Sequence, residues 1–282
     1  MRITELNYYP LKSTRGIALM ETEIGPTGIP GDRRMMVTDA SGTFITQREL
    51  PLLARLAVTP QGSSVRIAMD GQGSIDVCQP DPARRIDVVV WKSALSAALA
   101  DDDTNALLSQ WLGRPVRLVF FDEGAHRHAS AEWAGEGTPV TFADGYQVLI
   151  TTTASLAALN ADMRMHGEGD VGMERFRPNI VIDTAEAWAE DGWSTIEISG
   201  VTFDLVKPCA RCIMTTQDQS TGSREVASPM PAMGRIRMSA DRRVPGPLFG
   251  WNAVPRNSGH IRVGDKATVT ALRNTWAIKR RA

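Results

Sequence analysis

Cys209-Ala210-Arg211-Cys212 is the stretch best equipped for chemistry: two cysteines flank an arginine at the end of an apolar, strand-like run. A thiol acts as a soft metal ligand or nucleophile only once it loses its proton, and a neighbouring guanidinium favours the thiolate. Four uses of such a pair compete. A structural zinc half-site needs two more ligands at finger-like spacing, and no second Cys-x-x-Cys exists. A thioredoxin-type pair opens a helix in a βαβ unit, whereas Ile213, Met214, Thr215 and Thr216 read as β-favouring sequence. Two reduced cysteines can pack as small hydrophobes. Alternatively, one thiolate ligates a metal cofactor and the second cysteine is incidental.

Other polar residues stand beside turn signals. Tyr9-Pro10-Leu11-Lys12-Ser13 puts Lys12 and Ser13 on a loop just past a strand, since Pro10 biases Tyr9 toward extended geometry. Arg33 and Arg34 follow a Gly/Pro-rich turn over residues 25–31. Solvated surface charge is the plain reading of these cations; binding an anion such as a phosphate is the other. Arg177-Pro178-Asn179 enters a strand, which suits either a surface turn or a guanidinium for an anion with an amide for a heterocycle edge. Thr151 to Ser155 lies where a strand runs into a helix; hydroxyls there cap the helix, and a helix start also binds anions. His126 and His128 lack nearby carboxylates or cysteines and read as surface loop, and Cys78 reads as inert.

The elements that must position these groups are mostly short strands. Met35–Thr38, Val65–Met69 and Ile75–Cys78 are strands joined by Gly-bearing turns, so the first ninety residues imply a small all-β barrel or sandwich. Asp101 to Asp103 caps a helix ended by Gly113. Ile196 to Leu205 forms a hairpin turning at Ser199-Gly200, whose second arm delivers Cys209 and Cys212. Residues 221–244 read as a long loop and residues 246–252 as a turn-rich piece. Trp91-Lys92-Ser93 reads as the bridge between two units, 1–92 and 93–274, followed by a basic tail at 275–282. The fold class expected is mainly β with minor α.

Composition narrows the function classes. A chain of 282 residues, 43% apolar and 22% charged, can bury two cores without staples. A net charge of −1 offers no global field for nucleic acid. Three cysteines, an odd count, argue against a disulfide framework and for a reducing compartment. The N-terminus lacks a signal-peptide apolar region, and no apolar run approaches the ~20 residues that span a bilayer. A cytoplasmic protein with no membrane partner is expected.

The order of these pieces resembles the MOSC family (molybdenum cofactor sulfurase C-terminal domain), in particular members with an N-terminal β-barrel, the mitochondrial amidoxime-reducing component and its bacterial relatives. The matching stretches are Tyr9 to Ser13, Gly31 to Arg34, Phe176 to Ile180, Pro208 to Cys212, and Pro247 to Gly250 with Val263 to Asp265. The resemblance implies a small N-terminal β-barrel domain plus a MOSC β-barrel domain with a few helices. It also implies a molybdenum cofactor, a pterin with a dithiolene and a terminal phosphate. Cys212, not Cys209, would complete the metal's coordination and be the catalytic residue. Lys12, Ser13, Arg33, Arg177, Asn179, Arg211 and Asn252 match cofactor contacts, and Thr152, Thr153 and Ser155 would join them. Arg211 would help hold the thiolate and the cofactor anion, and residues 221–244 would form a substrate-side lid. The activity implied is reduction of small N-hydroxylated substrates, amidoximes or N-hydroxylated bases. With no cysteine after Cys212 the chain would hold no iron–sulfur cluster, so a separate flavin or iron–sulfur protein would donate electrons. The rival implied by the family name is a cofactor carrier or sulfur-transfer protein, with a persulfide on Cys212 or Cys209.

Overall fold

The computed structural model describes residues 1–279. Strands β1 (Arg2–Tyr8), β2 (Ile17–Leu19), β3 (Glu21–Ile24) and β4 (Met35–Thr38) open the chain. Next come β5 (Leu56–Gln61), β6 (Ser64–Met69), β7 (Gly73–Cys78), β8 (Arg85–Val90), β9 (Ser93–Leu99), helix α1 (Asp102–Leu112) and β10 (Arg117–Phe120). The short helix α2 (Ala131–Ala134) is followed by β11 (Val148–Thr152), α3 (Thr153–Met165), β12 (Ile180–Asp183), β13 (Trp193–Ile198) and β14 (Val201–Ala210). Helix α4 (Met230–Ile236) precedes β15 (Leu248–Pro255), β16 (Gly259–Arg262) and β17 (Ala267–Leu272). The protein is mainly β, as expected.

The large lobe is one eight-stranded sheet in the order β17-β13-β14-β15-β11-β12-β1-β2. It curls back on itself: Arg2 bridges Lys266, and Ile3 N–H donates to Asp265 O at 2.9 Å. Its only parallel pair, among the described residues, is β11 with β12, and α3 makes the crossover that a parallel pair requires. Alternation along the strands builds two cores. Ile180, Ile182, Trp251 and Ala253 point into the curl, while Val181 and Phe249 face α3 and α4. Each fully buried isoleucine, valine or phenylalanine here contributes roughly 1.5–3 kcal/mol.

The small lobe holds the β5-β6-β7 meander and the sheet β4-β10-β9-β8 around a core with α1. Helix α1 starts where Asp101 accepts from Thr104 N–H at 2.7 Å and stops at Gly113, whose φ of 69° favours glycine.

The tertiary arrangement corrects several expectations. Trp91-Lys92 is the two-residue turn of the β8–β9 hairpin, so position 92 falls inside a hairpin rather than between units. Strand β1 belongs to the large lobe, so the lobes are interleaved in sequence. Residues 248–255 form a central strand despite their Gly and Pro, because β14 and β11 pair with it on either side. Ile213–Thr216 is one turn of 3-10 helix. The loop at 221–244 contains α4, whose Ala232 and Met233 pack beneath α3. Of the basic tail, Trp276 packs edge-on to Trp251 at 5.8 Å, and residues 280–282 lie outside the described residues.

Two local features carry this arrangement. Asp191 is buried and receives Arg237 at 2.8 Å and Trp251 Nε1 at 2.9 Å, tying α4 to the sheet. Asp191→Asn leaves Arg237 as an uncompensated buried charge and is expected to cost about 3–5 kcal/mol in urea unfolding. Gly250 sits at φ +76° in β15, where an added Cβ would meet Thr151 Cγ2 at 2.7 Å and Ile150 O at 2.8 Å. Gly250→Ala should therefore cost about 2–4 kcal/mol by the same measurement, with no substitution-tolerant alternative at φ > 0.

Candidate functional site

The loops at one edge of both lobes enclose a cleft of about 310 Å³. The small-lobe side contributes Lys12, Ser13, Arg33, Arg48 and Trp91; the large-lobe side contributes Arg177, Asn179, Cys209, Arg211, Cys212 and Asn252. Most lie in turns just before or just after a strand, where a rigid sheet ends in a segment free to carry chemistry. The backbone is strained at these tips. Of the six non-glycine residues with positive φ among the described residues, Ser13 (66°), Arg33 (46°), Trp91 (56°) and Arg177 (54°) line the cleft. Each costs about 1–3 kcal/mol, and such strain concentrates at functional sites.

Arg33 and Arg177 share one aromatic ring, each guanidinium carbon lying 4.2 Å from the Tyr9 centroid. Buried Asp32 pairs with Arg33 and accepts from Tyr9 N–H at 2.8 Å, although burial pushes its carboxyl up. Burial also holds the Tyr9 phenol up at about 12 against both guanidiniums, so its hydroxyl stays protonated and donates to Pro178 O at 3.1 Å. Asn179 spends its side chain inside this knot. Its Oδ1 accepts from Leu149 N–H and Arg33, both at 3.1 Å, and its Nδ2 donates to Asn7 O at 3.1 Å. Arg177 Nη1 donates to Thr14 O at 2.6 Å and Gln219 Oε1 at 3.2 Å, and burial lowers this guanidinium to about 10.

Lys12 is buried and donates to Phe142 O at 2.9 Å and to Asp144. Burial lowers the Lys12 pKa, with Asp144 opposing that shift. Burial likewise pushes Asp144 up, but the Lys12 charge and hydrogen bond and the Trp91 indole outweigh it and hold the carboxyl well below its ordinary range. The Asp144 side chain is nonetheless 71% exposed to the open cleft, so water screens this pair and it adds little stability. The balance of the wall is clear: five cations, Lys12, Arg33, Arg48, Arg177 and Arg211, face the single carboxylate of Asp144. A cleft whose wall carries a large excess of positive charge concentrates anions.

The two sulfurs differ. Arg211 Nη1 donates to Cys209 Sγ at 2.9 Å and its Nη2 to Phe176 O at 2.7 Å, so the guanidinium serves Cys209 rather than Cys212. Arg211 Nε is buried and unpartnered. Cys212 is exposed, opens the 3-10 turn at 213–216 and, among the described residues, makes no side-chain hydrogen bond. Among the described residues, no group of three or more His, Cys, Asp or Glu side chains could hold a metal ion. A soft sulfur beside a cationic wall with an orphaned guanidinium N–H suits a polyanionic carrier of a soft metal.

Three expected residues lie elsewhere. Thr152 and Ser155 bond the buried Glu190 carboxylate at 3.0 and 2.8 Å, and Thr153 bonds Asp183 at 2.9 Å. The α3 start is thus already occupied by the protein's own anion. The cleft takes instead the loop before β11, Ala143 to Tyr146. That loop, Arg48 and Trp91 escaped the sequence reading. The Asp144-Gly145 turn ahead of an apolar run was the available signal; for Trp91 it was alternation on both sides of a two-residue gap. Among the described residues lining the cleft, none comes from 221–244, the segment expected to form a substrate-side lid; it meets the cleft only where Arg224 donates to the Arg48 carbonyl at 3.0 Å.

The MOSC N-terminal beta barrel domain matches residues 1–115 and the MOSC domain residues 137–268. "Mitochondrial amidoxime-reducing component 1" of Homo sapiens is 29% identical over 279 residues, covering 93% of this chain and 81% of that protein. Its Danio rerio counterpart is 28% identical over 276 residues, covering 93% and 83%. A solution structure from Bordetella bronchiseptica aligns with 34% of this chain and 83% of its own, at 18% identity and a TM-score of 0.28, too slight a likeness to bear on the fold. With the two domain matches in order along nearly the whole chain, the protein belongs to the MOSC family, in its form with an N-terminal β-barrel domain.

Proposed function

We propose that this chain is a molybdenum-cofactor-dependent reductase of N-hydroxylated compounds, supplied with electrons by a separate flavin or iron–sulfur protein. One observation carries the reading: the exposed, unpaired thiol of Cys212 opens onto a cleft whose wall has five cations and one carboxylate. The relatives named for amidoxime reduction support the reaction class. The net change is R–NHOH + 2e⁻ + 2H⁺ → R–NH₂ + H₂O.

Cys212 would ligate the metal. Lys12, Ser13, Arg33, Arg177, Arg211 and Asn252 would hold the cofactor's phosphate and pterin, with Asn179 keeping Arg33 in place. Bound there, the cofactor supplies the two-electron chemistry that no side chain can. The protein's own contribution is orientation. Strained turns fix Ser13, Arg33 and Arg177 before anything binds, and the Tyr9 ring keeps two guanidiniums together that would otherwise repel. Arg211 holds Cys209 aside, which leaves Cys212 as the free sulfur.

Purification from a cofactor-competent host, metal analysis and turnover of benzamidoxime with an artificial electron donor test the reading. Tightly held molybdenum without turnover on any N-hydroxylated compound would favour the carrier or sulfur-transfer role instead. Cys212→Ser is expected to lower N-reduction by more than about 100-fold, beyond the ~10–100-fold typical of a metal's outer partners. Cys209→Ser should keep most of it; equal losses would sink the assignment of Cys212 as sole ligand. Arg177→Ala should lower the molybdenum content of the purified protein by about tenfold or more, as loss of a charge-assisted contact implies.

A further inference from the structure

Among the described residues, Arg48 is the one cation of the cleft wall outside the proposed cofactor contacts. It is half-buried and anchored from several sides. Its guanidinium lies 4.5 Å over the Trp91 ring, its Nε donates to Thr46 Oγ1 at 3.2 Å, and its carbonyl accepts from Arg224 at 3.0 Å. Yet neither of its terminal nitrogens has a partner among the described residues. The other four cations each hold a protein partner through a terminal nitrogen: Lys12 on Asp144, Arg33 on Asp32, Arg177 on Thr14 O and Gln219, and Arg211 on Cys209 and Phe176 O. Trp91, which backs Arg48, occupies a positive φ of 56° at the first position of a two-residue hairpin turn, a place that favours glycine. It is further held by Phe44 at 5.0 Å and by its indole N–H on Asp144 at 3.1 Å. A bulky, 42% exposed aromatic kept in a strained turn and stacked on a cation is a built wall, not a surface accident.

We propose that Arg48, backed by Trp91, is an anion-recognition subsite of the cleft that selects N-hydroxylated substrates carrying a carboxylate. This rests on the reductase reading and deepens it. A planar guanidinium with both terminal N–H pairs free presents the fork that a carboxylate takes in two parallel hydrogen bonds, and its seat over the indole with Nε on Thr46 holds the fork in place in advance. The cofactor's phosphate offers the same chemistry, so the test must separate the two.

The test compares the purified holoprotein with Arg48→Met, which keeps the stem and removes the fork, and with Arg48→Lys, which keeps the charge. Three quantities are measured: molybdenum content, kcat/KM for 4-carboxybenzamidoxime relative to benzamidoxime, and calorimetric binding of the non-hydroxylated 4-carboxybenzamidine. The expected result is unchanged molybdenum, with a roughly tenfold loss of preference for the carboxylated compound in Arg48→Met, carried by KM, and partial recovery in Arg48→Lys. An unchanged preference overturns the subsite. So does loss of molybdenum in Arg48→Met, which would assign the arginine to the cofactor's phosphate. If the wild type reduces no N-hydroxylated compound, the reductase reading fails alone. The binding of 4-carboxybenzamidine then decides the subsite: Arg48-dependent binding supports it, and equal binding by both proteins overturns it.

Discussion

The buried carboxylate of Asp32 is the constraint on which the cleft depends. Taken alone it is costly, because a charge removed from water loses its solvation. It persists because a guanidinium and a backbone N–H saturate it. Through Arg33 it reaches Asn179, and through the Tyr9 backbone it fixes the ring shared by Arg33 and Arg177. Tyr9 and Asp32 come from the loops around β1 and β4, and Arg177 and Asn179 from the start of β12. One small polar knot therefore joins segments far apart in the chain, and joins the two lobes with them. Its partners are ring faces, amides and carbonyls more than carboxylates, so much positive charge stays uncancelled and faces the cleft.

The sheets supply rigidity and the turns supply reach. A curled eight-stranded sheet holds the ends of β1, β11, β12 and β14 at one edge, and the small lobe brings the turns after β1, before β4 and after β8 to meet them. Side chains are aimed across the gap by backbone conformations that cost energy in isolation. That cost is tolerated because the flanking strands are paired over their length, so the turns have few ways to relax. The cleft's geometry is thus present before any ligand, which reduces the ordering that binding must impose.

Within the cysteine motif, tertiary contacts split two chemically identical groups. Pro208 and Ala210 straddle a register shift against β15, which lies beside the Gly250 bend. Cys209 stays with the strand and meets Arg211; Cys212 lies past its end, exposed, at the start of a helical turn. A guanidinium that sequence proximity would assign to either sulfur is oriented by the Phe176 carbonyl, which belongs to another element.

Much of this was legible in residue order. Alternating apolar positions identify the β6–β7 and β13–β14 hairpins, Asp101 and Gly113 bound α1, and Pro10 and Pro178 mark the turns that carry Lys12 and Arg177. These signals are local, set by backbone sterics and by period-two burial, and they need no knowledge of neighbours. The family resemblance likewise rests on short motifs in order. What residue order could not decide depended on partners distant in the chain. Residues 248–255 become a central strand because two other strands pair with them, which overrides their glycine and proline. Thr152 and Ser155 turn to Glu190, some 35 positions away, and so leave the site that their place at a helix start suggested. Arg48 and Trp91 meet across a gap that only the packed small lobe closes. Local propensity is written residue by residue, whereas charge pairing and burial are fixed only when the folded chain brings separate segments into contact.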